Sequence, residues 1–209
     1  MMMSSLPRWR RIGATALLAI ATAALTGCAA QSTPTNRYTL PQTDSPQQAS
    51  EPSPQAATLA VGPVEVASYL DQEGIVMQTS DIELNAANQN LWAEALGQQL
   101  TRRLRQSLAA DLPNVVVLNT SRSEAGAQRL TLSVDQFQGR YDGQAVASGE
   151  WQLHEGNELL AQRHFEVSQP LSDDGYPALV RTLGAVWNEV ARQIAEDFRA
   201  VSTTPPATD

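Results

Sequence analysis

The chain has a single cysteine, Cys28, and no lysine, so all 14 of its basic residues are arginine. A lone thiol excludes an internal disulfide and leaves no partner for a redox or zinc pair. Histidine is almost as scarce: His154 and His164 are the only two, and both fall on the polar parity of strand-like runs. If Glu155 pairs with Leu159, His164 lies opposite Glu150, four strand residues or ~13 Å from His154, too far for one metal ion. G-x-S-x-G, a P-loop, G-x-G-x-x-G and H-E-x-x-H are all missing, which removes the usual short signatures for placing a nucleophile, a phosphate or zinc. The neighbouring acids Asp71 with Glu73 and Asp173 with Asp174 sit at turns or helix starts, where carboxylates have structural reasons to be. No catalytic residue, cofactor or metal is expected. Positive charge is the last shortage. From Cys28 onward, 11 arginines face 22 acids, a net charge of −11. That argues against nucleic acid and anionic membrane surfaces as partners.

What is present begins at the N-terminus. Arg8, Arg10 and Arg11 precede an apolar run, Ile12–Leu25, which ends in Leu25-Thr26-Gly27-Cys28. The run has 14 residues, against the ~20 needed to cross a bilayer, so it has the length of a signal h-region. The order resembles a bacterial lipobox. It implies removal of residues 1–27 by cleavage between Gly27 and Cys28, with Cys28 acylated (palmitate-type chains) as the first mature residue. Each buried CH₂ of such chains contributes ~0.8 kcal/mol, enough for stable anchoring without a spanning helix. The alternative for Cys28 is an incidental or buried thiol. Ala29, in place of aspartate, favours transfer to the outer membrane in lipoproteins of this kind.

Residues 28–57 are rich in Pro, Gln and Ser. Such a composition cannot bury enough apolar surface to offset its ordering entropy, and it reads as a tether with ~30 Å of average span. Tyr38-Thr39-Leu40 interrupts it, either as a chance pair of apolar residues or as a short segment that docks on the domain or a partner.

Residues 58–201 read as one domain, followed by a polar tail, 202–209. Thr58–Val66 predicts a strand, edge or bulged at Gly62-Pro63; Tyr69-Leu70-Asp71 predicts a turn, and Ile75–Met77 a second short strand. Trp92, Leu96, Leu100, Leu104 and Leu108 repeat every four residues, predicting a helix over Leu91–Ala110 with Asn88 or Asn90 as N-cap and Glu94 in its first turn. Val115–Leu118, uninterrupted and apolar, reads as a strand covered on both faces, parallel to an earlier strand across the helix. Residues 129–168 predict a three-stranded meander with a bulge near Asp135-Gln136, an Asp142-Gly143 hairpin, and Leu159, Ala161, Phe165 and Val167 facing inward. A closing helix, with Asp173 and Asp174 adding charge at its start and Pro177 in its first turn, carries Leu179, Leu183, Val186, Trp187, Val190, Ile194, Phe198 and Val201 on one stripe.

Val61-Gly62-Pro63-Val64, Tyr69-Leu70-Asp71 leading to Ile75-Val76, and Leu91-Trp92-Ala93-Glu94-Ala95-Leu96 together resemble the ABC-type transport auxiliary lipoproteins. The resemblance implies an α/β fold: a single three-layer α/β/α domain with a mixed sheet of about five to seven strands and two main helices. It also implies a non-catalytic subunit of a periplasm-spanning lipid transport system that supports membrane integrity. Its expected place is the periplasmic face of the outer membrane. The implied partners are a tunnel protein with mammalian-cell-entry domains and inner-membrane transporter components, met by a homo-oligomeric ring. Tyr38, Leu40, Tyr69, Leu70, Asp71, Trp92 and Glu94 are the candidate partner or structural cluster; for Trp92 the alternative is a core side chain, and for Glu94 a helix-start acid. Two other readings stand beside this one. One is an independent periplasmic lipid carrier with its own closed apolar cavity; the other is a purely structural envelope lipoprotein.

Overall fold

The computed structural model describes residues 34–42, 56–120 and 126–203. Gly27, Cys28, the signal segment, part of the tether and residues 204–209 lie outside the described residues. In chain order the elements are β1 (Asn36–Tyr38), β2 (Ala57–Val66), β3 (Gly74–Gln78), β4 (Leu84–Trp92), α1 (Leu96–Asp111), β5 (Val115–Asn119), β6 (Gln128–Gly139), β7 (Gln144–Glu155), β8 (Glu158–Pro170) and α2 (Tyr176–Thr203). Eight strands form one mixed sheet, one more than the upper expectation, because part of the expected tether supplies β1.

The sheet forks along β6. One side of β6 carries β7 antiparallel over its whole length, and β8 follows. On the other side β2 runs parallel to its first half, and β3 meets its end at Met77 and Gly139. Beyond β2 lies β5, parallel; beyond β3 lie β4 and then β1. The expected parallel pair across the first helix is therefore β2 with β5. Pro63 falls in the register shift between Val61 and Val64, just past the last residue β5 pairs, so its missing N–H costs no ladder bond. β5 ends the path and is half-buried, not covered on both faces: an apolar run fixes the strand but not its place in the sheet.

Leu96, Leu100, Leu104 and Leu108 are buried as the spacing requires. The helix nevertheless starts at Leu96 rather than Leu91. Trp92 keeps the helical phase, but its N–H donates to the Glu73 carbonyl at 2.7 Å and it sits opposite Tyr38 in the ladder, so strand pairing overrides the periodicity. Asn88 and Asn90 are strand residues. Ala95 holds the N-cap position without a side-chain bond, and Glu94 lies outside the first turn. Asp173 and Asp174 likewise precede α2, whose first turn has no acid.

The two helices touch. The indole N–H of Trp187 donates to the Leu100 carbonyl at 3.1 Å, while its ring meets Phe137 and Phe165 edge-on at 6.0 and 6.3 Å, favourable geometries for aromatic pairs. Both helices thus share one face of the sheet, where the resemblance implies helices on both. A single buried stripe on each helix can be covered from one side, and the polar row Ser148, Glu150, Gln152 and His154 occupies the other.

In the meander, the register shift between Val134 and Gln136 is the expected bulge, and Gly143 adopts φ 77° in the hairpin turn. His164 does lie opposite Glu150, but Glu155 pairs with Glu158 through a shift between Leu153 and His154. The shift turns Leu159 outward, 48% exposed, and Leu160 packs on the core in its place. Gly149 carries a constraint that composition hides: a Cβ there would stand 2.1 Å from the Ser133 carbonyl oxygen and 2.9 Å from Phe165. Gly149→Ala is expected to lower stability by about 1–3 kcal/mol or more, as overpacking does, read as a reduced urea midpoint; an unchanged midpoint contradicts the packing described.

Candidate functional site

The N-terminal segment is a strap held to the domain. β1 adds to the edge of β4, and the Tyr38 hydroxyl donates to Asn90 Oδ1 at 3.1 Å. Leu40 is 3% exposed, packed in the core, and its N–H donates to Gln99 Oε1 at 3.0 Å. Gln99 is fully buried and spends its other end as a donor to the Glu94 carbonyl at 3.1 Å. One carboxamide thereby ties the strap to the start of α1. Further on, a Cβ at Gly184 of α2 would stand 2.8 Å from Pro41 Cδ, so the strap continues across the second helix.

Beside the strap lies a cleft of about 280 Å³ lined by Arg37, Asp71, Glu73, Trp92 and Glu94, among others. Arg37 bridges it, pairing with Glu73 at 3.1 Å and donating to the Trp92 carbonyl at 3.2 Å. Glu94 accepts from Arg102 at 3.0 Å, with a second contact between the same groups. The Arg102 hydrogen bonds hold the Glu94 carboxyl below the usual carboxylate range. Past Asp71 and Ala95 a second groove, about 760 Å³, runs between β2 and α1. It is lined by Val61, Val64, Thr101, Arg102 and Arg105 among others.

Of the expected cluster, the structure gathers Asp71, Trp92 and Glu94 in the cleft and brings Tyr38 and Leu40 alongside through the strap. Trp92 is nonetheless a core side chain, 3% exposed, whose ring lies 6.3 Å from Phe137. Leu70 is also core. Tyr69 faces β6, its hydroxyl 2.7 Å from the Asp135 carbonyl and 2.8 Å from Gln138 Oε1; it caps the bulge there. Burial, then the Asp135 charge, pushes the Tyr69 hydroxyl pKa up. Chemically, Glu73 and Glu94 are occupied by the guanidinium groups of Arg37 and Arg102, an arrangement suited to fixing a surface.

Sequence reasoning missed Gln99 and the residues in line with it. Gln99, Arg103 and Ser107 are all buried and follow the helical repeat directly beside the leucine stripe. Arg103 donates to Asn188 Oδ1 of α2 at 3.1 Å, and burial lowers its pKa. A polar residue every four positions next to an apolar stripe is the available signal; it marks a seam between helices, not a solvent face.

This fold and this strapped cleft define a class: the chain belongs to the ABC-type transport auxiliary lipoprotein component family, whose model matches residues 38–195. The match starts at Tyr38 and so includes most of the strap. Among relatives, the chain is 38% identical over 183 residues to the intermembrane transport lipoprotein PqiC of Escherichia coli (strain K12), covering 88% of this chain and 96% of that protein. PqiC of Shigella flexneri matches to the same extent. A crystal structure of an uncharacterized protein, 34% identical, aligns with TM-score 0.70 over 79% of this chain and 99% of its own. A Xanthomonas campestris protein, 18% identical, shares the fold at TM-score 0.64, covering 80% and 96%.

Gln99→Ala leaves the Leu40 N–H and the Glu94 carbonyl without their partner, at a cost of about 1–3 kcal/mol borne mainly by the strap. Tryptic cleavage after Arg37, which tracks the population of the open strap, is expected to accelerate roughly tenfold or more; cleavage at the unaltered rate contradicts the tie.

Proposed function

We propose that this chain is a non-catalytic lipoprotein subunit of a periplasm-spanning lipid transport system. Its place is the inner face of the outer membrane. There, as a homo-oligomeric ring, it docks a tunnel protein of the mammalian-cell-entry type that inner-membrane components feed. Membership of the transport auxiliary family supports the transport role, and the printed name of its PqiC relatives, intermembrane transport lipoprotein, supports the span between membranes. Among the described residues no helix is long and apolar enough to cross a membrane; the proposed attachment is through acylated Cys28, on the lipobox order of Leu25-Thr26-Gly27-Cys28.

The observation that carries the reading is the strap. With β1 starting at Asn36, eight residue steps separate Cys28 from the sheet, a span of at most about 29 Å however those residues are arranged, where a tether running to residue 57 would reach ~100 Å. A domain on so short a leash stays at its own membrane and cannot carry cargo across the periplasm, so the far membrane must be reached by a partner. The filled interior supports docking over the carrier alternative as well: Phe137, Trp151, Phe165 and Trp187 occupy the space between sheet and helices, and the 760 Å³ groove opens on the surface.

Chemical crosslinking in cells that express the full-length chain is expected to recover a mammalian-cell-entry protein, and palmitate labelling is expected to mark the wild type and spare Cys28→Ser. Repeated crosslinking without that partner, or label retained on the Cys28→Ser chain, overturns the proposal.

A further inference from the structure

Four large apolar side chains are conspicuously exposed among the described residues: Ile82, Leu84, Tyr141 and Leu159. The sheet register gathers three of them. Because Met77 pairs with Gly139, the loop between β3 and β4, which carries Ile82 and leads into Leu84, emerges at the same end as the turn between β6 and β7, which carries Tyr141. The entry to α2 joins them there, since the Leu171 N–H donates to the Gly143 carbonyl at 2.9 Å. Tyr176 at the start of α2 shares a concave surface of about 570 Å³ with Met77, Thr79 and Asn85. Ile82 is 90% exposed at the loop tip. Single exposed apolar residues need no explanation, but three brought to one end of a sheet that also carries a concave surface mark an interaction surface.

Charge narrows what can sit there. Asp81, Glu83, Asp142, Asp173 and Asp174 are all exposed at this end, and Arg140 in the β6–β7 turn is paired to Asp142 at 2.7 Å. An anionic lipid surface is repelled by such a patch. A second copy fits poorly too, because from Cys28 onward this chain carries 22 acids against 11 arginines, and among the described residues Arg37, Arg102, Arg140 and Arg192 are already paired with carboxylates of their own chain. What complements an apolar tip ringed by carboxylates is an apolar surface ringed by cations on a different polypeptide.

We infer that the end of the sheet formed by the β3–β4 loop, the β6–β7 turn and the approach to α2 docks a heterologous protein through a basic, apolar-centred surface, with Ile82 as its central contact. Resting on the function proposed above, that protein is the tunnel component. The carboxylates steer the encounter and Ile82, Leu84 and Tyr141 supply the desolvated centre, the usual division between rim and core.

The test uses the full-length lipoprotein in cells with a photo-crosslinking amino acid placed at position 82 and, as a control, at position 159 at the opposite end of the sheet. The expected result is an adduct from position 82 with the mammalian-cell-entry protein, identified by mass spectrometry, and none from position 159. Ile82→Asp, at a site too exposed to unsettle the fold, is expected to lower chemical-crosslinker recovery of that partner by about tenfold or more, with an unchanged melting temperature. Adducts from position 82 with lipid, with a second copy or with nothing overturn the inference, as does equal labelling from position 159. If the wild type recovers the partner with the chemical crosslinker while position 82 stays silent, this surface is wrong and the docking role stands; if the wild type recovers no partner, the docking role falls with it.

Discussion

A single buried carboxamide governs how this molecule relates to what lies before it in the chain. Gln99 accepts from the Leu40 N–H and donates to the Glu94 carbonyl, so the strap and the start of α1 are satisfied by the same side chain. Inside a protein an unmade hydrogen bond costs more than a made one contributes, so withdrawal of either group strands one end of the buried Gln99 carboxamide. Leu40 in the core and Pro41 against Gly184 add apolar contact to that constraint. The consequence for the proposed role is geometric, because the sequence distance from Cys28, the proposed anchor, to β1 limits how far the domain could travel.

The same economy appears in the electrostatics. An acidic chain with no lysine engages many of its arginines within the fold: in the cleft with Glu73, along α1 with Glu94, in the hairpin with Asp142, and on α2 with Glu189 and Glu196. Most of these pairs are partly solvent-exposed, and exposed pairs of this kind contribute little to stability, ~0–1 kcal/mol. Their larger effect is on the outer surface, where carboxylates stay in excess and favour cationic partners over anionic lipid.

Much of the architecture was legible in the residues. The leucine repeat of α1, the stripe of α2 centred on Trp187, the bulge before Phe137 and the Asp142-Gly143 hairpin all follow from spacing, because side chains that must share a face impose a period on the sequence. The failures occurred where two periods agree locally. Trp92 is in phase with Leu96, and only the pairing of β4 with β3 and β1 decides that it belongs to a strand; Leu159 and Leu160 are adjacent leucines, and a one-residue shift decides which packs against the core. The layering was also hidden, since nothing in either stripe says whether two helices lie on one face or two; the Trp187 to Leu100 bond makes it one. Of the candidate site, Asp71, Trp92 and Glu94 were marked by resemblance and line one cleft. Gln99 was not, because one polar side chain beside an apolar stripe looks like solvent until its partners are in place.

The strap is part of the fold through the Leu40 N–H bond to Gln99, and amide hydrogen exchange at Leu40 in the intact lipoprotein tests this most directly. Protection at Leu40 comparable to that of the buried turns of α1 is the predicted result, as expected for a bond opened only with the core. Exchange at the rate of an unstructured chain would contradict it, and would return the domain to a long leash.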